Sequence, residues 1–177
     1  MELTQEDNLI LQSYITISLL VELKNNNLLS SAYFEGMMFG APWIKEQLQS
    51  IGVDNQGCTV IALYAMLVLP REIVQNAHAR EYDAINDFLR NHTQNTTTNY
   101  RSDNPTTNYL RHVRNAVAHA RVSFRPNDAV IFMDENSRTN EFFSTELPLT
   151  RLGEFIHRLQ TVHIAYIQGI HKRGSST

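Results

Sequence analysis

At 177 residues the chain is long enough for one domain with a well-formed core and too short to require two. A net charge of −3 and a pI near 6.1 give no global basic signature, so any nucleic-acid contact must concentrate its positive charge locally. The single cysteine, Cys58, excludes an internal disulfide framework and a multi-cysteine zinc site, and reads as a small buried hydrophobe.

The first residues are polar and acidic, without a basic segment and a cleavable apolar run, which points to a cytoplasmic protein. No apolar stretch approaches the roughly 20 residues that span a bilayer, so no membrane association is expected. Thr4 with Asp7 forms an approximate capping pair, and Leu9, Ile10, Ile17, Leu20 and Val21 continue a helix to about Leu23. A second helical region runs from Leu28 to about Leu48, with a break at Gly40 to Pro42. Its stripe of Tyr33, Phe34, Met37, Met38 and Phe39 is expected in the core or a subunit interface, with Trp43 a lid, dimer or packing residue.

Thr59 to Leu69 is apolar on nearly all sides and is expected to be a central buried helix, kinked or ended by Pro70. Tyr82, Ile85, Phe88 and Leu89 give an amphipathic helix with Asp83 and Asp87 on its wet side. Residues 93–107, rich in Asn and Thr and without an apolar period, read as a long flexible loop that is either a mobile connection or a substrate lid. Tyr100 and Arg101 within it suit base stacking and phosphate contact.

Asn104 and Pro105 resemble a helix start, cap followed by first-turn proline, and the helix is expected to pass without a glycine stop into the strand Val122 to Phe124. At 100° per residue, with His119 at zero, Asn115 falls at about −40°, His112 at about 20° and Asn108 at about −20°. Leu110, Val113 and Val117 lie on the opposite side as a core-facing stripe. Arg114 falls at about −140°, off the histidine's face. Joint action of Arg114 and His119 therefore requires a wrapped arginine stem, a deformed helix or a second copy of the chain.

Ala129 to Met133 and Glu141 to Ser144 read as strands around a turn at Asp134 to Asn140, forming with Val122 to Phe124 a small antiparallel sheet within residues 122–147. A long helix from about Leu149 to Ile170 follows, then a flexible tail over 172–177. His157, His163 and His171 on that helix read as surface or core-edge residues and not as metal ligands. No HExxH, Walker A, GxSxG or GxGxxG pattern occurs, which removes the commonest metalloprotease, nucleotide-hydrolase, esterase and dinucleotide-binding readings.

Arg114-Asn115-Ala116-Val117-Ala118-His119 combines an arginine, a polar neighbour and a histidine four residues further on. Within the wider phrase Tyr109 to Arg121, followed by a strand, it resembles the HEPN superfamily, and in particular a plasmid- and phage-defence-associated bacterial branch. The resemblance implies a mainly α fold, an up-and-down helical bundle of one domain over 1–177, with a small antiparallel hairpin or sheet before the C-terminal helix. It also implies a metal-independent, cofactor-free endoribonuclease, a toxin or abortive-infection effector, that leaves a 2′,3′-cyclic phosphate and a 5′-hydroxyl.

The residue chemistry agrees with that implication. RNA carries its own nucleophile, so a site needs a proton acceptor or donor, as His119 supplies, and a cation for phosphate, as Arg114 supplies. Asn115 either orients the imidazole or binds the 2′-hydroxyl, and Arg111, His112 and Arg121 are further RNA contacts. The family usually builds its site across a homodimer, which would bring Arg114 and His119 together, and an antitoxin or regulator is an expected partner. The alternatives are a non-catalytic nucleotide- or RNA-binding or protein-interaction module, and a structural helical protein whose Arg and His only solvate a helix.

Overall fold

The computed structural model describes residues 3–70 and 73–175. Helix α1 (Gln5–Asn25) starts where Thr4 accepts the Asp7 amide at 3.0 Å, as the capping pair implied. A short 3₁₀ turn (Leu28–Ser30), α2 (Ala32–Gly36), α3 (Pro42–Ile51) and α4 (Gln56–Leu63) follow. The chain then widens into an underwound π-helical segment (Tyr64–Val68) before α5 (Ile73–Ala77) and α6 (Ala79–His92).

Of the alternatives for the 33–39 stripe the core one fails for most of its residues, and the full burial expected of residues 59–69 does not hold. In the 33–39 stripe only Phe34 reaches the core, while Tyr33 is 74% and Met38 98% exposed, and Trp43 is 64% exposed. The reason is local: α2 lasts five residues, and the extended chain at Met37 carries the stripe away from the bundle. Residues 59–69 are central but not wholly buried, since Leu63, Met66 and Leu67 face the core and Ile61 and Tyr64 face outward. Cys58 is half-buried, and burial pushes its thiol upward, followed by the nearby charge of Asp54.

Residues 93–107 contain a strand and are not simply a loop. Strand β1 (Gln94–Thr98) pairs antiparallel with a later strand, with Asn95 in the left-handed region at φ 51° where the register shifts. The β-branched threonines find a ladder that a reading of local periodicity misses. A 3₁₀ turn (Arg101–Asp103) then leads through a cis Asn104–Pro105 bond to α7 (Tyr109–Ala118). The true N-cap is therefore Asn108, whose side chain accepts the Arg111 amide at 2.9 Å, and not Asn104.

Strands β2 (Val122–Arg125), β3 (Ala129–Asn136) and β4 (Glu141–Pro148) complete a four-stranded antiparallel sheet in the order β1-β4-β3-β2. The β3–β4 hairpin is longer than expected at both strands, so Asp134 and Glu135 lie in a strand and not in a turn. Because β1 precedes α7, the sheet is not built solely from the segment before the last helix. Helix α8 (Leu149–Ser175) closes the chain, so 172–175 are helical; 176–177 lie outside the described residues.

The molecule is mainly helical with this small sheet, and its core is formed where the layers meet. Leu63 and Leu67, Ile85 and Leu89 of α6, Val113 and Val117 of α7, Phe132 of β3, Leu147 of β4 and Phe155 and Leu159 of α8 make one continuous cluster. His163 belongs to this interior and not to its edge. It is 1% exposed, stacks on Tyr14 and bonds through Nδ1 to the Leu159 carbonyl at 2.9 Å, while its Nε2 has no hydrogen-bond partner.

Burial, with His78 opposing a second positive charge, holds the His163 imidazole below its usual range despite the Leu159 carbonyl. Acid lowers stability at such a group, because the unfolded chain binds the proton that the fold excludes as pH drops through the ordinary histidine value toward the lower folded one. We expect His163→Leu to flatten the decline of the thermal midpoint between about pH 7 and about pH 5. It should cost little at neutral pH, since it also removes the unpaired ring nitrogen.

Candidate active site

Helix α7 is covered on both sides. Leu110, Val113, Ala116 and Val117 enter the helical core as the periodicity predicted. The polar side is only partly solvated: Asn108 and His119 are exposed, and between them β3 brings Asp134 down onto His112 and Asn115.

His112 is fully buried. Its Nδ1 lies 2.7 Å from Asp134 Oδ2, and its Nε2 lies 3.0 Å from both oxygens of Asp103 and 2.9 Å from Arg111 Nη2. Phe143 stacks on one face of the ring at 4.2 Å and Tyr100 leans on it at 4.7 Å. Arg111 Nη2 also donates to Ser102 at 2.9 Å and Asp103 at 3.0 Å, and the guanidinium lies 5.5 Å over the Tyr100 ring.

Burial acts to raise the Asp103 carboxyl, but the Thr98 hydroxyl at 2.6 Å, His112 and Arg111 outweigh it and hold it below the usual range. The Tyr100 phenol is raised, first by burial and then by its hydrogen bond and proximity to Asp134. The buried pair Asp103 and Asp134 thus clamps His112 and ties the 3₁₀ turn, α7 and β3 together.

Above this layer is an open cleft of about 560 Å³ lined by Tyr100, Arg111, Asn115, His119, Arg121, Asp134 and the hairpin residues Glu135 to Arg138. Five of the anticipated site residues meet in it: Tyr100, Arg111, Asn115, His119 and Arg121. His112 lies beneath it as a structural member. Arg101 is exposed on the 3₁₀ turn, its amide bonded to Glu141 at 3.1 Å. Arg121 is steered by the Glu135 carbonyl at 2.8 Å.

Arg114 is elsewhere. It donates to Gln75 at 3.2 Å and lines a separate small cavity of about 90 Å³ with Tyr82, Asn108 and Leu110. Burial pushes the Tyr82 phenol up to about 12, against the pull of Arg114. The angular separation on the helical wheel therefore persists in the fold, and α7 is regular up to Ala118.

His119 owes its exposure to the way α7 ends. It is the C-cap; Ala120 follows with φ 53°, the Ala120 amide donates to Val117 at 3.2 Å and the Arg121 amide to Ala116 at 2.8 Å. This is a Schellman closure with alanine where glycine is usual. Ala120→Gly should stabilise the fold by about 0.5–1 kcal/mol, read as a higher urea midpoint at unchanged slope.

Asp103, Asp134 and Arg138 were not anticipated. Asp134 and Arg138 were hidden in a segment with turn composition, and Asp103 in an apparent loop; only long-range strand pairing reveals them. A mainly helical domain with a small antiparallel sheet is consistent with the HEPN class, whose members serve as ribonucleases or as nucleotide-binding modules. Within that class the chain belongs to the HEPN pEK499 p136 family, whose model matches residues 1–168. No curated protein and no solved structure matches the chain.

Proposed function

We propose that the protein is a metal-independent endoribonuclease of the toxin or abortive-infection type, with His119 as its proton acceptor. The observation that carries this reading is the cleft in which His119 and Asn115 meet Arg111, Arg121 and Tyr100. His119 takes the proton of a ribose 2′-hydroxyl as that oxygen bonds to the adjacent phosphorus. The bond to the 5′-oxygen breaks, leaving a 2′,3′-cyclic phosphate, and the departing oxygen takes a proton from solvent, which the imidazolium restores. Arg111 and Arg121 face the phosphates, whose developing charge needs fixed donors, and Tyr100 offers a stacking surface for a base.

Arg114 enters this site from a second copy of the chain in a homodimer, since within one copy it opens onto a different cavity from His119. Apolar side chains on the outside of α1, α4 and the π-helical segment support association: Leu9, Ile61 and Tyr64 are about half exposed and line an apolar groove. A partner antitoxin or regulator would fit the same effector role.

The separation of Arg114 from His119 favours a second reading for a chain that stays monomeric, a nucleotide- or RNA-binding module without cleavage. Incubating the protein with single-stranded RNA in excess EDTA separates the two. Cleavage to 2′,3′-cyclic phosphate ends supports the enzyme; saturable binding of intact RNA supports the module; loss of both overturns both.

A further inference from the structure

Asp134 holds two donors within hydrogen-bond distance, His112 Nδ1 at 2.7 Å and Asn115 Nδ2 at 3.0 Å, with the Tyr100 phenol close by. A carboxylate accepts and does not donate, so the Asn115 amide must turn its NH₂ toward Asp134. Its carbonyl oxygen is left as the acceptor that Asn115 presents, on a side chain that lines the cleft one helical turn from His119. Such an oxygen has use for a ligand that brings a hydroxyl hydrogen. The ribose 2′-hydroxyl is both donor and acceptor, and deoxyribose has nothing at that position.

We infer that Asp134 is a positioning residue that locks Asn115 with its carbonyl toward the cleft, so that the site selects ribose over deoxyribose through the 2′-hydroxyl hydrogen. The inference rests on the reading of the cleft as an RNA site. It assigns Asn115 to the sugar and not to the imidazole, because the amide hydrogens are already committed to Asp134. Asp134 is 4% exposed, and its contact with His112 Nδ1 at 2.7 Å, on a ring held from the other side by Asp103, keeps the carboxylate from turning with the ligand. An amide at position 134 offers one acceptor oxygen to donors that now share two, and Asn115 is released to rotate.

Fluorescence anisotropy with three single-stranded oligonucleotides of one sequence tests this: all-ribose, all-deoxy and all-2′-O-methyl, the last keeping the oxygen and losing the hydrogen. The His119→Ala background prevents cleavage during the titration. Ribose should bind roughly three- to tenfold more tightly than either analogue, the worth of one neutral hydrogen bond. Asp134→Asn should bring that ratio to about one with the all-deoxy affinity unchanged.

Tyr100→Phe, which removes a hydroxyl close to Asp134 and leaves the Asn115 contact in place, should keep the ratio. If Asp134→Asn does not give a native circular dichroism spectrum, Asn115→Ala carries the test, with the same loss of ratio expected. A ratio that survives either substitution, or 2′-O-methyl binding as tight as ribose, overturns the inference while leaving the nuclease reading intact. Absence of binding to all three overturns the RNA reading together with it.

Discussion

His119→Ala is expected to lower the single-turnover rate of the proposed RNA cleavage by about 10²- to 10⁴-fold, the range that a positioned general base contributes. The fold should not pay for this change. His119 is exposed at the end of α7, and its backbone, not its ring, takes part in the closure through its amide bond to Asn115 at 3.0 Å. The affinity for uncleavable RNA should stay within about threefold, because the phosphate and base contacts are proposed for Arg111, Arg121 and Tyr100 and not for His119. A variant that still cleaves within about tenfold of the parent would remove His119 from the reaction.

The second large effect is on stability. His112→Ala should cost about 3–5 kcal/mol, the range found when one partner of a buried charged network is removed. The buried carboxylates of Asp103 and Asp134 would then face each other across an empty site, with Arg111 left to hold one side. Phe143 and Tyr100 would also lose the ring they pack against. Against total stabilities of about 5–15 kcal/mol this is a large share. The measurement is the urea midpoint, and His112→Gln should lose less than His112→Ala, since an amide still donates to one carboxylate.

The contrast between His112 and His119 marks what could be read in the sequence. The wheel placed both on one face and gave Arg114 its true position away from them, because helical periodicity is a local property. It did not separate the buried ring from the exposed one. That depends on β3, whose Asp134 bonds the first ring and not the second, and on Asp103 of the 3₁₀ turn, which meets the other nitrogen of the buried ring. The same lack of long-range information hid β1, whose threonines become a strand only against β4. The apolar stripe of α7 and the capped start of α1 were legible for the opposite reason, that neighbours in the chain decide them. For Tyr33, Met37 and Met38 the core alternative failed, leaving the subunit interface, because apolar composition does not say whether the chain stays against the core.

The composite site is tested most directly by mixing Arg114→Ala with His119→Ala protein after joint unfolding and refolding, then assaying RNA cleavage in excess EDTA. Each variant alone should be inactive. The mixture should recover roughly a quarter of parental activity, because half of the randomly formed dimers are mixed and each of these holds one complete Arg114 and His119 pair contributed by different copies. A mixture no more active than its components, beside a parent that cleaves, would contradict a site shared between two copies of α7.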